Sequence, residues 1–305
     1  MNDKIWVVIP TFNRLNDLMA CLESLAKTSI PIEQVIVVDN HSSDDTVQQV
    51  RLNYPTAHLI TLAENLGATG AANAGFDAAL VQGADYILRL DSDTIVDPDF
   101  IQPLFEMAKS DPTIGIVSPK IYYFEPHDVI WYAGVDAQPL IFGAQNSHRF
   151  EHDTMENSQP REVAYIWAAA MLIKREVLEK TGGFDPHFFI YYEEVDFCEC
   201  VRSLGYRLMF VPNAFVWHKV GSSINSPWTA FHWNRSKMIL FRKHARNIFH
   251  RVFLILYAFV YACMDALFNW LKIRHYSRNR GPLKDALQGL WKGLTIQLKS
   301  SGEKL

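Results

Sequence analysis

The chain has 305 residues, of which 49% are hydrophobic and 20% charged, a balance that suits a folded globular protein and excludes a disordered one. Cys21, Cys198, Cys200 and Cys263 are too few and scattered for a disulfide framework, and Cys198/Cys200 lacks zinc-ligand spacing, so a reduced, cytoplasmic setting is expected. The net charge of −4 hides a division: residues 1–234 carry 15 Lys/Arg against 30 Asp/Glu, whereas residues 235–305 carry 14 against 3, which points to a tail with a separate task at an anionic surface.

The opening MNDKIWVVIPTF has too short an apolar run, stopped by Pro10, for a signal peptide, and residues 5–9 predict a first buried strand. Leu15, Leu18, Leu22 and Leu25 then share one helix face. Residues 34–38 predict a second strand ending at Asp39, with Ser43 or Asp44 as cap of the next helix. A third strand over 58–62 leads through the Asn65–Gly70 turn into an Ala-rich helix over about 71–81. A fourth strand over 86–90 ends at Asp91. Asp97 and Pro98 read as N-cap and first residue of a helix running to about Lys109.

Residues 118–162 show no clear period and predict a long, partly structured connection. A strand over 163–173 follows, then a short helix over 175–180 stopped by Gly182-Gly183. A helix over 193–204 stops at Gly205, and a last strand over 208–211 leads to Trp217-His218. Such alternation predicts an α/β fold, a mostly parallel sheet with helices on both faces and its ligand site along the strand C-termini. Asp39, the Asn65–Gly67 turn and Asp91 all fall there.

Asp91-Ser92-Asp93 offers two hard oxygen donors that suit Mg²⁺ or Mn²⁺, and both carboxylates share a side if the backbone stays extended. The bland alternative is an acidic turn. His218 is a candidate third ligand or a packed core histidine. Glu193, Glu194 and Asp196 crowd a helix start, where a carboxylate serves as general base or merely complements the helix dipole. The Gly67/Gly70 turn allows close approach of a phosphate or ribose.

Taken together, VVIPTFNR (7–14), VVDNHSSDDT (37–46), NLGATGAANAG (65–75), LDSDT (90–94), GGFDPHFFIYYEEVDFC (182–198) and VWHKVGSS (216–223) resemble, in order, a family 2 glycosyltransferase of the GT-A fold, in particular its rhamnosyltransferase-like branch. The resemblance implies that Pro10, Thr11, Asn13 and Arg14 line a nucleotide pocket. It further implies that Asp39 contacts the base, that Asn65, Gly67, Asp91 and Ser92 serve the donor, and that Asp91, Asp93 and His218 hold Mg²⁺ or Mn²⁺. The family's base lies in an E-D-x-D pattern. Here it reads Glu193-Glu194-Val195-Asp196, so Glu194 stands where Asp is usual and Glu193 is the alternative. Ala169 replaces a usual Gly facing the acceptor. The implied reaction is inverting transfer from a dTDP- or UDP-linked sugar to a lipid-linked or polysaccharide acceptor.

The chain is therefore expected to divide into a donor-binding domain over 1–234 and a basic helical region over 235–305. Residues 252–271 are long enough to span a bilayer, yet Asp265 would cost about 2.5–3.5 kcal/mol at a spanning centre. Arg251, Ala258, Ala262, Asp265, Asn269 and Lys272 share a stripe, which favours an amphipathic helix lying in the interface or packed inward. Residues 283–298 carry Leu283, Leu287, Leu290, Trp291, Leu294 and Leu298 on one face. An anionic membrane surface, at the cytoplasmic face of the inner membrane, is the expected partner; the alternative is core or homo-oligomer contact. Nucleic acid is not expected, because the aromatics lie on apolar faces. Two other functions stay open, a sugar nucleotidyltransferase and a non-catalytic nucleotide-sugar-binding module.

Overall fold

The computed structural model describes residues 3–31, 34–138, 140–145, 148–153, 159–220, 226–270 and 282–298. Gly221–Ser223 of the last matched stretch, and Leu271 and Lys272 of the expected tail helix and its stripe, lie outside them. The chain divides into two compact units. Met1–Ala137, Ala144–Phe184 and Phe197–Val220 form the first; Gln138–Gly143, Asp185–Asp196 and Gly221–Leu305 form the second.

The elements begin β1 (Ile5–Thr11), α1 (Leu15–Leu25), β2 (Val35–Asp39), α2 (Thr46–Asn53), β3 (His58–Thr61), α3 (Gly67–Val81), β4 (Tyr86–Leu90) and β5 (Thr94–Val96). They continue with α4 (Ile101–Ser110), β6 (Ile114–Tyr123), β7 (Ile130–Tyr132), β8 (Asp136–Gln138), β9 (Gly143–Gln145) and β10 (Arg161–Glu162). Then come β11 (Ala170–Lys174), α5 (Arg175–Thr181), α6 (Glu193–Ser203) and β12 (Arg207–His218).

The main sheet runs β10-β12-β6-β11-β4-β1-β2-β3, with β5 paired to β12 and β7 to β6. The pairs β4/β1, β1/β2, β2/β3 and β6/β12 are parallel, whereas β11 inserts antiparallel between β4 and β6. The central strands are continuous apolar runs because they are covered on both faces, and Val7, Val8, Ile9 and Val35 to Val38 are all buried. Helix α3 comes very close to this layer. A Cβ at Gly75 would sit 2.2 Å from Val8 Cγ1, so only glycine fits.

Four local expectations need correction. Helix α4 starts at Ile101, not Pro98: β5 pairs with β12 through Val96, and a turn with Phe100 N bonded to Asp97 O at 3.2 Å delays it. The stretch from 118 onward is far more ordered than its mixed composition suggests, since β6 reaches Tyr123 and β7 pairs with it. Conversely, the strand expected over 163–173 begins at Ala170, because Val163 and Ala164 are held singly by Leu208 and Val135 carbonyls. The last strand is longer than expected, running from Arg207 to His218 as it tracks β6.

The second unit carries α7 (Pro227–His244), α8 (Ile248–Trp270) and α9 (Leu283–Thr295). Ser226 caps α7 by accepting from Thr229 N at 3.1 Å, with Pro227 as the first helical residue. Helices α7 and α9 pack at backbone distance, with Gly289 against the Phe231 carbonyl and Gly293 against that of Arg235. Arg242 Nη1 donates to the Gly293 and Ile296 carbonyls at 2.7 and 2.8 Å, satisfying the α9 C-terminus. Helix α9 ends at Thr295, short of the expected Leu298, because Ile296 turns extended.

Candidate active site

The parallel strands β1 and β2 end side by side, with Thr11 opposite Asp39. Both residues are buried, at 3% and 2% exposure. Asp39 Oδ2 accepts from Ser42 N at 3.1 Å, but among the described residues Asp39 Oδ1 and Thr11 Oγ1 are buried without a hydrogen-bond partner. Such orphaned acceptors and donors are costly unless a ligand satisfies them. Asn13, in the left-handed region at φ 51, accepts from Ser43 N at 2.7 Å, while its own N–H donates to Ser42 Oγ. It braces the loop after β2. Arg14 is paired to Asp17 at 3.2 Å.

Asn40, which the motif reading passed over, organises the neighbouring turn. Its Nδ2 donates to Asn65 Oδ1 at 2.9 Å and to the Gly67 carbonyl at 3.1 Å, and its Oδ1 accepts from Leu66 N. Asn65 Oδ1 also accepts from Gly67 N, and Gly67 has φ +73, which glycine adopts without penalty. Asn65 and Gly67 are thus tied to Asn40, the residue that follows β2.

Asp91 and Asp93 come together by a different route from strand alternation. Thr94 N donates to the Asp91 carbonyl at 3.2 Å, so Asp91-Ser92-Asp93 is a turn, and the chain doubles back into β5, whose Thr94 pairs with His218. Ser92 is buried in that turn. His218 Nε2 lies 3.0 Å from Asp93 Oδ1 and 3.6 Å from Asp91 Oδ2. All three ligand atoms fall within 4.8 Å of one another. Two carboxylates and an imidazole fit Mn²⁺ or Mg²⁺ with positions left for phosphate oxygens. Burial favours a neutral His218, but the Asp93 hydrogen bond and the Asp93 and Asp91 charges outweigh it, and its pKa is raised.

Further residues brace this cluster. Trp131 packs on the His218 ring at 4.6 Å between centroids. Lys219 donates its N–H to the Asp93 carbonyl and its Nζ to Asp17 at 3.0 Å. Arg89 Nη1 lies 2.7 Å from Asp91 Oδ1. The sequence signal for Arg89 was plain, a charge inside the apolar strand YILRL; Trp131 lay in a stretch without a period.

In the second unit, Glu193, Glu194 and Asp196 occupy the first turn of α6. The two residues before it, Tyr191 and Tyr192, have φ 67 and 65, a left-handed conformation uncommon for aromatic side chains. Asp196 is tied to Lys243 Nζ at 2.8 Å and His244 Nε2 at 2.7 Å. Both partners belong to α7.

The model of the family described as "Glycosyl transferase family 2" matches residues 6–182, a span that contains the Asp39 and Asp91/Asp93 turns. The chain belongs to glycosyltransferase family 2. Membership sets aside the sugar nucleotidyltransferase alternative.

Among its relatives, this family 2 enzyme is 26% identical over 239 residues to the N-acetylglucosaminyl-diphospho-decaprenol L-rhamnosyltransferase of Mycobacterium tuberculosis (strain H37Rv), covering 72% of this chain and 76% of that protein. It is 23% identical over 309 residues to the dTDP-rhamnosyl transferase RfbF of Shigella flexneri, covering 96% and 98%. Its fold is shared with GalNAc-T7, solved with UDP, GalNAc and Mn²⁺, at a TM-score of 0.59 and 19% identity, over 71% of this chain and 43% of that one. Staphylococcus aureus TarS 1–349 with UDP gives 0.55 and 18%, over 81% and 68%. Both neighbours support the GT-A architecture of a family 2 glycosyltransferase.

Proposed function

We propose that this family 2 glycosyltransferase transfers a sugar, L-rhamnose in the favoured case, from a dTDP- or UDP-linked donor to a hydroxyl of a lipid-linked or polysaccharide acceptor, inverting the anomeric centre. The observation that carries the reading is the convergence of Asp91, Asp93 and His218 within 4.8 Å beside the orphaned Asp39 and Thr11. The rhamnosyl names of the two relatives support the sugar and the lipid-linked acceptor.

In this reading Thr11 and Asp39 receive the base, Asn13 and Arg14 border it, and the Asn65–Gly67 turn admits the backbone close to the donor. Asp91, Asp93 and His218 would hold Mg²⁺ or Mn²⁺, which supplies Lewis-acid neutralisation of the leaving diphosphate. Glu194, at the α6 N-terminus, takes the proton from the acceptor hydroxyl as it attacks; Glu193 is the neighbour that could replace it. Release of nucleoside diphosphate from a donor panel tests this directly. The wild type should turn over a rhamnosyl donor, and Asp93→Ala should lower turnover at least about 100-fold. Near-normal turnover in that variant would overturn the site.

The domain reading, donor binding over 1–234 and a basic helical region over 235–305, goes with membrane association at the cytoplasmic face. Helix α8 supports it. Its Leu254, Ala258 and Ala262 are buried, while Phe249 is 84%, Leu256 61%, Val260 57% and Leu267 51% exposed. The stripe with Ala262 and Asp265 lines a small crevice together with Trp233 and Lys237 of α7 and Ala286 of α9. Burial of Leu254, Ala258 and Ala262 on one side and an apolar face turned out on the other favour a helix lying in a lipid interface, although Ile248–Leu267 is also long and apolar enough to cross a bilayer.

A further inference from the structure

Arg89 is the single charged residue of β4 and is 3% exposed. A guanidinium at the centre of a sheet is costly unless it is paired. Strand alternation puts it on the same side as Asp91, two residues on. Its Nη1 meets Asp91 Oδ1 at 2.7 Å and also donates to the Ala168 carbonyl. The other oxygen of the same carboxylate, Oδ2, is the one 3.6 Å from His218 Nε2. The two oxygens of Asp91 are therefore divided, one committed to Arg89 and one turned toward His218.

We propose that Arg89 is a positioning residue that admits Asp91 to the cation site through Oδ2 alone and keeps that site weak until a nucleoside diphosphate arrives. The inference rests on reading Asp91, Asp93 and His218 as a cation site. The physical argument is charge. Two carboxylates beside one guanidinium present a single net negative charge to a dication, which is a poor trap in water. A bound diphosphate adds the missing negative charge and oxygen donors, so cation and nucleotide bind interdependently, and each strengthens the other by the same factor. The alternative is that Arg89 merely pins β4 to the Ala168 segment. In that case, neutralising it leaves cation affinity unchanged.

The test is Mn²⁺ binding to the full chain, read from the paramagnetic resonance signal of free Mn²⁺, first alone and then with excess UDP or dTDP. Arg89→Leu and Arg89→Gln remove the charge, and Arg89→Lys keeps it; thermal melting by circular dichroism establishes that each is folded. Either neutral variant should bind Mn²⁺ alone about tenfold more tightly, a change of about 1.4 kcal/mol, and the gain on adding nucleotide should shrink by a similar factor. Arg89→Lys should stay close to the wild type. A folded neutral variant with unchanged or weaker Mn²⁺ affinity overturns the proposal. A wild type that takes up no Mn²⁺ with or without nucleotide overturns the cation reading itself, and this inference with it.

Discussion

Glu194 and Asp196 stand two residues apart in one turn of α6, yet they are expected to respond differently to the same change. Asp196 is 2% exposed and holds both Lys243 and His244, so Asp196→Asn strips a buried charge pair and should cost about 3 kcal/mol of stability. Glu194 is half-buried, and as the proposed base its carboxylate acts on the acceptor. Glu194→Gln should lower kcat at least about 100-fold in a chain that is still folded by circular dichroism. If Glu193→Gln shows that loss instead, the base is Glu193. The spacing alone could not separate these acids, because all three sit in a turn where the helix dipole welcomes negative charge. Asp196 is held by two partners from α7.

At the scale of elements, α9 depends on its glycines. A Cβ at Gly289 would lie 2.1 Å from the Phe231 carbonyl oxygen and one at Gly293 2.4 Å from that of Arg235. Both obstacles are backbone and cannot swing aside. Gly289→Ala should push α9 off α7 and destabilise the second unit by about 1–3 kcal/mol, seen as earlier cleavage of the C-terminal helices in limited proteolysis. Nucleotide binding, measured by calorimetry, should change little, since the candidate donor residues belong to the first unit. The apolar face of α9 was legible in its leucines. The close approach was not, because glycine spacing carries that meaning only once a partner backbone is known.

Over the whole molecule, the charge division between residues 1–234 and 235–305 and the outward apolar face of α8 belong to one expectation. The protein should float with vesicles containing anionic phosphatidylglycerol and lose much of that binding at high salt, where surface attraction is screened. Leu256→Glu with Val260→Glu, both on the exposed face, should abolish flotation without unfolding the chain. Flotation by the double variant equal to the wild type would remove α8 from the interface, and a concentration-dependent dimer lost in that variant would reassign the face to a second copy.

The sequence by itself determined the order of strands and helices at the N-terminal side, the strand-end position of Asp39 and Asp91, and the helical nature of the tail. These are local properties: apolar periodicity and turn chemistry act between residues close in the chain. Only the tertiary structure decided that Asp91 and Asp93 meet His218 through a turn and the pairing of β5 with β12. It likewise decided that residues 114–123 form a long strand, that α8 buries Leu254, Ala258 and Ala262 and leaves Leu256 and Val260 exposed, and that Arg89 occupies one oxygen of Asp91. Each of these depends on contacts between residues far apart in the chain, where the partner, and not the residue's own neighbours, sets its conformation and charge environment.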